Sequence, residues 1–160
     1  MISIIATIDL NNGIGINNNL LCHLPKNVKY FNEITANSVV VMGRKTYDSL
    51  PKKYLSKKTK IVISKSVKKL RGCTVIPSIP LALEELKKYE NVFVIGGGKI
   101  FEQLLPYAKV LYMTRIYHLF EADTFFPELY AKDWTLESSA GFKVDKKHNY
   151  PFSFEKYNRK

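Results

Sequence analysis

Three short segments of this chain combine glycines, cations and hydroxyl groups in a pattern that suits phosphate binding. A β-branched run leads into Gly96, Gly97 and Gly98, and glycine lets a phosphate or a flat ring approach the backbone closely. A second run ends at Gly43. The cations and hydroxyls that follow the strands, and that can hold phosphates by charge-assisted hydrogen bonds, are Arg44, Lys45, Thr46, Ser64 and Lys65. Each segment alone is also typical of a tight turn or a solvated surface, but the three together favour a ligand with several phosphates.

A regular alternation of strands and helices has to position these segments. Continuous β-branched runs predict strands covered on both faces. The predicted strands are Ile2–Ile8, Val39–Met42, Lys60–Ser64, Thr74–Ile76, Val92–Ile95, Val110–Ile116, Trp134–Ser138 and Pro151–Tyr157. Proline suits the first turn of a helix, and serine suits an N-cap, as at Pro25 and Ser78. The predicted helices are Pro25–Ile34, Arg44–Leu50, Pro80–Lys88 and Lys99–Leu105.

This order of elements predicts one three-layer α/β domain over residues 1–160. The central sheet would be mixed but mostly parallel, with eight strands and about four helices on its two faces. No helix is predicted between the last two strands, which indicates antiparallel strands at one edge. Open sheets of this kind bind ligands outside the carboxyl ends of their strands, where the phosphate-binding segments lie.

Composition narrows the class of protein and its partners. The 46% of hydrophobic residues and 24% of charged residues are typical of a globular domain. No apolar run approaches a membrane span, and the chain starts like a strand rather than a signal peptide. The lysines behind the net charge of +11 are scattered in short pairs, so we expect a solvated surface or a field that attracts an anionic ligand, and no nucleic acid. The two cysteines have no metal or disulfide spacing. We expect a cytoplasmic monomer without a metal.

Several motifs occur in a fixed order along nearly the whole chain. They are Ile4-Ile5-Ala6, Gly13-Ile14-Gly15, Leu24-Pro25, Phe31, Met42-Gly43-Arg44-Lys45-Thr46, Ile95-Gly96-Gly97-Gly98, Leu111-Tyr112-Met113-Thr114-Arg115-Ile116 and Asp123-Thr124-Phe125-Phe126-Pro127. With this order and spacing the sequence resembles bacterial-type dihydrofolate reductase. The resemblance implies that NADPH passes a hydride to C6 of 7,8-dihydrofolate while N5 takes a proton, which gives tetrahydrofolate.

The resemblance also implies a set of residues for each ligand. NADPH would be held by Ala6, Ile14, Asn19, Leu20, Gly43, Arg44, Lys45, Thr46, Ser64, Lys65, Ile95, Gly96, Gly97, Gly98, Lys99, Ile100 and Thr124. The substrate would be held by Ile5, Asn27, Val28, Phe31, Ser49, Leu50, Leu55, Lys58, Ile95, Phe101 and Thr114. Catalytic roles would fall to Asn27, Thr114 and Leu20. The Gly96–Gly97 peptide would be cis, the loop Leu10–Leu21 would form a mobile lid, and a gated water would protonate N5.

Two positions depart from the family pattern, and both would touch the substrate. Asn27 stands where bacterial members carry an acid. A carboxylate offers two acceptors to the two donors of a pterin, whereas an amide offers one acceptor and one donor group. Lys58 stands where an arginine grips the substrate carboxylate with two hydrogen bonds, and a lysine cannot form that fork. Lys57 is a possible substitute.

These departures leave three interpretations open. The chain could be a dihydrofolate reductase with a replaced acid, or a variant with altered antifolate binding. It could instead reduce a different pterin or a riboflavin-pathway pyrimidinedione, whose edge matches an amide. The main alternative that is not an enzyme is a basic nucleic-acid-binding module. We also expect Cys22 and Trp134 to pack in the core, and His118 and His148 to lie on the surface.

Overall fold

The computed structural model describes residues 1–160. Its strands are β1 (Ile2–Ile8), β2 (Gly13–Gly15), β3 (Val39–Gly43), β4 (Thr59–Ile63), β5 (Cys73–Ile76), β6 (Val92–Gly96), β7 (Val110–Ile116), β8 (Thr124–Phe125), β9 (Trp134–Phe142) and β10 (Phe152–Arg159). Its α-helices are α1 (Pro25–Ile34), α2 (Arg44–Ser49), α3 (Ile79–Leu86) and α4 (Gly98–Leu104). Single 3₁₀ turns lie at Lys52–Tyr54 and Leu105–Tyr107. None of the helices is long and apolar enough to cross a membrane.

Eight strands form one sheet in the order β5-β4-β3-β6-β1-β7-β10-β9. The six strands from β5 to β7 pair in parallel. The last two strands of the chain close one edge, because β10 pairs antiparallel with both β7 and β9. The short strands β2 and β8 form a separate antiparallel pair. The predicted α/β class and the mostly parallel eight-stranded sheet are therefore confirmed.

Helices cover both faces of the sheet, which explains the continuous apolar runs in its strands. On one face, Leu86 of α3 and Leu104 of α4 pack in the same buried cluster as Ile4 of β1. On the other face, the next residue of β1, Ile5, packs with Phe31 of α1. Successive strand side chains point to opposite faces, so a strand covered on both sides needs apolar residues at every position.

The predicted bounds agree with the structure for elements whose apolar residues pack in the core. Ile2–Ile8, Pro25–Ile34 and Val110–Ile116 match residue for residue. β9 runs to Phe142 rather than ending at Ser138, because backbone pairing with β10 extends it although the residues between Trp134 and Phe142 are exposed. The strands β2 and β8 were not predicted, since runs of three and two residues are too short to show a period.

Candidate active site

A cavity of about 620 Å³ lies beyond the carboxyl ends of β1, β3 and β6. Residues of α1, of the first turns of α2 and α4, and of the loop between β2 and α1 form its wall. The parallel strands of the sheet present their carboxyl ends on this side, which is where open α/β sheets bind ligands. A volume of this size is typical of small-molecule and cofactor sites.

One end of the cavity is shaped by the glycines that join β6 to α4. The Gly96–Gly97 peptide is cis, and Gly96 has a φ of 131°, a conformation that favours glycine. A Cβ on Gly98 would lie 2.9 Å from Cγ2 of Thr124. A Cβ on Gly97 would lie 3.3 Å from Oγ1 of Thr46. This turn therefore consists of backbone without side chains. The absence of side chains here leaves the first turn of α4 accessible to a ligand.

Three cations line the same end of the cavity. Arg44 and Lys45 begin α2, and Lys99 stands in the first turn of α4. Arg44 forms an ion pair with Asp48, with 2.9 Å between Nε and Oδ2, whereas Lys45 and Lys99 form none. Two free ammonium groups beside two helix starts attract an anion.

The loop that follows β1 is held over the cavity by two carboxylates. Asp9 is fully buried, and its side chain accepts hydrogen bonds from backbone N–H groups that include that of Gly13, at 2.7 Å. Asp123 accepts the N–H of Asn17 at 2.9 Å and donates its own N–H to the carbonyl of Gly15 at 3.0 Å. Leu20, half exposed, lies at the mouth. The sequence predicted a lid here, and the structure ties it to the segment around β8.

The other end of the cavity carries an amide held between two threonines. Nδ2 of Asn27 donates to Oγ1 of Thr7 at 2.8 Å, and Oδ1 of Asn27 accepts from Oγ1 of Thr114 at 2.7 Å. An amide has two donor hydrogens and two acceptor lone pairs. One hydrogen and one lone pair are used, so one donor and one acceptor remain for a ligand. Sequence reasoning missed Thr7, whose signal is a polar residue on the face of β1 that otherwise carries Ile5.

Apolar side chains line the space between the two ends. Ile5 and Ile95 come from the sheet, and Val28, Phe31 and Leu50 come from the helices above it, all within the cavity wall. Flat apolar walls that end in an amide suit a flat nitrogen heterocycle. Cys22 also reaches the wall, and burial raises the pKa of its thiol to about 11, so that it remains protonated at neutral pH.

Lys58 lies behind this wall rather than in it. Its Nζ donates to Oδ1 of Asn32 at 3.0 Å and to the carbonyl of Tyr54, and it stands 4.6 Å from the ring centre of Phe31. Burial lowers the pKa of Lys58 to about 8. The Lys58 ammonium therefore already has two hydrogen-bond acceptors in the protein, and it lies at the edge of the apolar walls.

Residues 1–159 match the family model described as dihydrofolate reductase. The chain belongs to the dihydrofolate reductase family. The dihydrofolate reductase of Bacillus subtilis strain 168 is 40% identical over 160 residues, which cover 100% of this chain and 95% of that relative. The dihydrofolate reductase of Haemophilus influenzae is 36% identical over 152 residues, or 95% of this chain and 94% of that relative.

A solved structure shows the same fold over almost the whole chain. It is a dihydrofolate reductase from Enterococcus faecalis complexed with NADP(H) and RAB-propyl, with a TM-score of 0.89 and 35% identity. The match covers 99% of this chain and 96% of that chain. The family resemblance predicted from the ordered motifs is thereby confirmed.

Most of the residues that the dihydrofolate reductase resemblance implied meet in the one cavity. The exceptions, which do not contribute to its wall, are Leu55, Lys58, Ser64, Lys65 and Thr114. Thr114 acts from behind Asn27, Leu55 is buried, and Ser64 hydrogen-bonds Ser66 at 3.2 Å. Wall residues that sequence reasoning did not assign to a ligand are Thr7, Gly15, Asn18, Leu21, Cys22, Leu24, Tyr54 and Asp123. Gly15, Asn18 and Leu21 lie in the loop that was predicted as a lid, but its lack of periodicity does not show which of its residues face the cavity.

His148 corrects a prediction. The sequence suggested a surface residue, as His118 is, but only 4% of His148 is exposed. Its ring packs against Phe152 with 5.2 Å between the centroids, and both ring nitrogens have hydrogen-bond partners. A polar residue in a lysine-rich stretch gives no sequence signal for such burial. Trp134 is buried, as expected.

Proposed function

We propose that this chain catalyses the NADPH-dependent reduction of 7,8-dihydrofolate to 5,6,7,8-tetrahydrofolate. The observation that carries the proposal is one cavity that joins a glycine-and-cation end to apolar walls and a fixed amide. The first end suits a phosphorylated dinucleotide, and the second suits a flat nitrogen heterocycle. Both ligands would then meet face to face, as direct hydride transfer requires.

The glycine-and-cation end fits NADPH by its own chemistry. A Cβ on Gly98 would clash with Thr124 and one on Gly97 would crowd Thr46, so this turn is best built from backbone alone, and the N–H groups at the start of α4 would hold the ligand. Arg44, Lys45 and Lys99 would hold its phosphates. When bound, NADPH supplies the hydride. Ser64 and Lys65 would reach the adenosine phosphate from outside the cavity wall.

The lid and the first strand would orient the nicotinamide. Ala6, Ile14, Asn19 and Leu20 all line the cavity, and Leu20 is half exposed at its mouth. Closing this mouth excludes water and so keeps the hydride from side reactions. We assign Leu20 a catalytic role in this sense, as the side chain that closes the reacting rings off from solvent.

The pterin ring would lie between Ile5 and Phe31 with its polar edge at Asn27. Thr114 and Thr7 fix the plane of the amide, so the ring is held in one orientation. We propose that Asn27 occupies the position of the acid found in bacterial family members. The proton for N5 would come from a water. The thiol of Cys22 has a pKa of about 11, and the one carboxylate in the wall, Asp123, already accepts hydrogen bonds from Asn17 and Thr124.

A second substrate is favoured by the same amide. With one hydrogen committed to Thr7 and one lone pair to Thr114, Asn27 offers a ligand one donor and one acceptor. The N3–H and adjacent carbonyl of a pyrimidinedione match this pair, whereas the two donors on the edge of a pterin match only its acceptor. Reduction of a riboflavin-pathway pyrimidinedione is therefore the alternative function.

An NADPH oxidation assay separates the two functions. Dihydrofolate and a riboflavin-pathway pyrimidinedione are supplied in parallel at matched concentrations, with NADH in place of NADPH as the cofactor control. We expect faster oxidation with dihydrofolate, and formation of tetrahydrofolate. Oxidation with the pyrimidinedione alone would transfer the assignment to that substrate.

We also propose that residues 1–160 act as a single domain and as a monomer. The support for this proposal is that the glycine turn, its cations, the apolar walls and the Asn27 amide all line one cavity of this chain. Sedimentation of the active protein at assay concentration measures this directly, and an active dimer with an inactive monomer would contradict it.

A further inference from the structure

The first turn of α1 lacks a side-chain cap of its own. Its N-cap residue, Leu24, has no side-chain acceptor, and Pro25 has no N–H. The N–H groups of Asn27 and Val28 bond to the carbonyl of Leu24 at 2.9 and 3.1 Å. The N–H of Lys26 has no acceptor within the helix and needs one from elsewhere.

His148 supplies that acceptor from a distant part of the chain. Its Nε2 accepts the N–H of Lys26 at 3.1 Å across 122 residues of sequence. The other ring nitrogen, Nδ1, lies 2.8 Å from Oδ1 of Asp145. A carboxylate accepts only, so Nδ1 carries the proton and Nε2 presents a lone pair.

The Asp145 carboxylate is itself fixed. Its Oδ1 accepts the N–H of Lys147 at 2.9 Å and the N–H of His148 at 2.8 Å. The hydrogen bond to the His148 ring lowers the pKa of Asp145, so the carboxylate is ionised at neutral pH. Together with the ring of Phe152, these contacts give the imidazole one orientation and one tautomer.

The helix that receives this bond is the one that carries the heterocycle contacts. Asn27 follows Lys26 directly, and Val28 and Phe31 also line the cavity. His148 lies in the loop that joins β9 to β10. One helical turn further along α1, Tyr30 stacks on Phe154 of β10, with 4.0 Å between the ring centroids. The glycine-and-cation end is built from other elements and has no contact of this kind with His148.

We propose that His148 is a positioning residue for the substrate: by capping the first turn of α1 it sets the place of the Asn27 amide. This role rests on the proposed function for its kinetic consequence, but the capping bond itself does not. Loss of the bond leaves one N–H unpaired, and the turn that holds Asn27 can then shift. A shift of about one ångström at a hydrogen-bonding edge is enough to weaken its contacts to the substrate.

A pair of substitutions isolates the acceptor. His148→Gln keeps an oxygen that can reach the N–H of Lys26, whereas His148→Phe fills a similar volume with no acceptor. We expect His148→Phe to raise the KM for dihydrofolate about five- to tenfold, as for one lost hydrogen bond, and to leave the Kd for NADPH within about twofold. His148→Gln should show a KM for dihydrofolate close to that of the wild-type chain.

Hydrogen exchange of the Lys26 amide, followed by NMR, reads the bond without any substrate. We expect faster exchange in His148→Phe and near-native exchange in His148→Gln. Should His148→Phe fail to fold, Asp145→Ala gives the same readouts, because the free ring no longer holds one tautomer.

Unchanged Lys26 exchange in His148→Phe would overturn the proposal. So would equal losses in dihydrofolate and NADPH binding, which are the mark of a purely structural role. A wild-type chain that leaves dihydrofolate unreduced counts against the proposed function alone, since the exchange experiment still decides the capping role.

Discussion

Asn27→Asp, which introduces a carboxylate at position 27, is the substitution that tests the substrate end of this cavity most directly. In Asn27→Asp, the hydroxyl of Thr114 can still donate to one oxygen, and the hydroxyl of Thr7 can turn to donate to the other. Each oxygen then keeps a lone pair, so both donors on the pterin edge find an acceptor. The negative charge also stabilises the proton gained at N5.

The size of the effect follows from the hydrogen bonds at stake. Relieving one unmatched donor is worth about 1–3 kcal/mol, and a factor of ten in rate corresponds to about 1.4 kcal/mol. We therefore expect Asn27→Asp to raise kcat/KM for dihydrofolate at pH 7 by about ten- to a hundredfold. Reduction of a pyrimidinedione should fall, because its carbonyl would face a carboxylate.

The assay is NADPH oxidation measured from pH 5 to pH 9. An amide does not titrate, so the rate of the wild-type chain should keep rising toward acid as more substrate is protonated. The rate of Asn27→Asp should depend less on pH near neutrality. Asn91→Asp, an exposed site outside the cavity wall, controls for the change in net charge. Identical pH profiles for wild type and Asn27→Asp, with no gain at pH 7, would refute the reasoning.

Three further perturbations test other parts of the cavity. Lys45→Gln should weaken NADPH binding about tenfold by titration, since an unpaired cation that would hold a phosphate is lost, while Lys87→Gln, at the residue that follows α3, should leave it unchanged. Gly98→Ala should lower stability by about 1–3 kcal/mol in urea unfolding and weaken NADPH, because its Cβ meets neighbouring atoms, whereas Gly141→Ala meets none. The family resemblance assigns the substrate carboxylate to Lys58, which borders the cavity through its contact with Phe31. With a pKa of about 8, Lys58 goes from about one-tenth neutral at pH 7 to about nine-tenths at pH 9, so on this assignment we expect the KM for dihydrofolate to rise over this range. Lys58→Arg stays charged and should flatten that rise; an equally steep rise would remove Lys58 from substrate binding.

Residue types and their periods predict the scaffold of this molecule well, because its strands are covered on both faces. The run Ile2–Ile8 and the helix Pro25–Ile34 are set by local apolar patterning and by a proline at a helix start. Glycines and cations after the strands likewise predict the cofactor end, since parallel strands bring their carboxyl ends together.

Contacts between distant segments are what the sequence does not reveal. The hydrogen bonds that the N–H groups of Lys26 and Asn17 donate to His148 and Asp123, respectively, join residues more than a hundred positions apart. Thr7 needs the pairing of β1 with β7 before its approach to Asn27 can be seen. Such polar contacts depend on tertiary placement, and no local period encodes them.

The central claim is that reduced nicotinamide and dihydrofolate meet within one cavity of this chain. The direct measurement uses NADPH that carries deuterium at both positions of C4, together with dihydrofolate, and follows the label by mass spectrometry. We expect one deuterium at C6 of the tetrahydrofolate product, transferred without loss to water. Unlabelled tetrahydrofolate, or no oxidation of NADPH, would contradict the account.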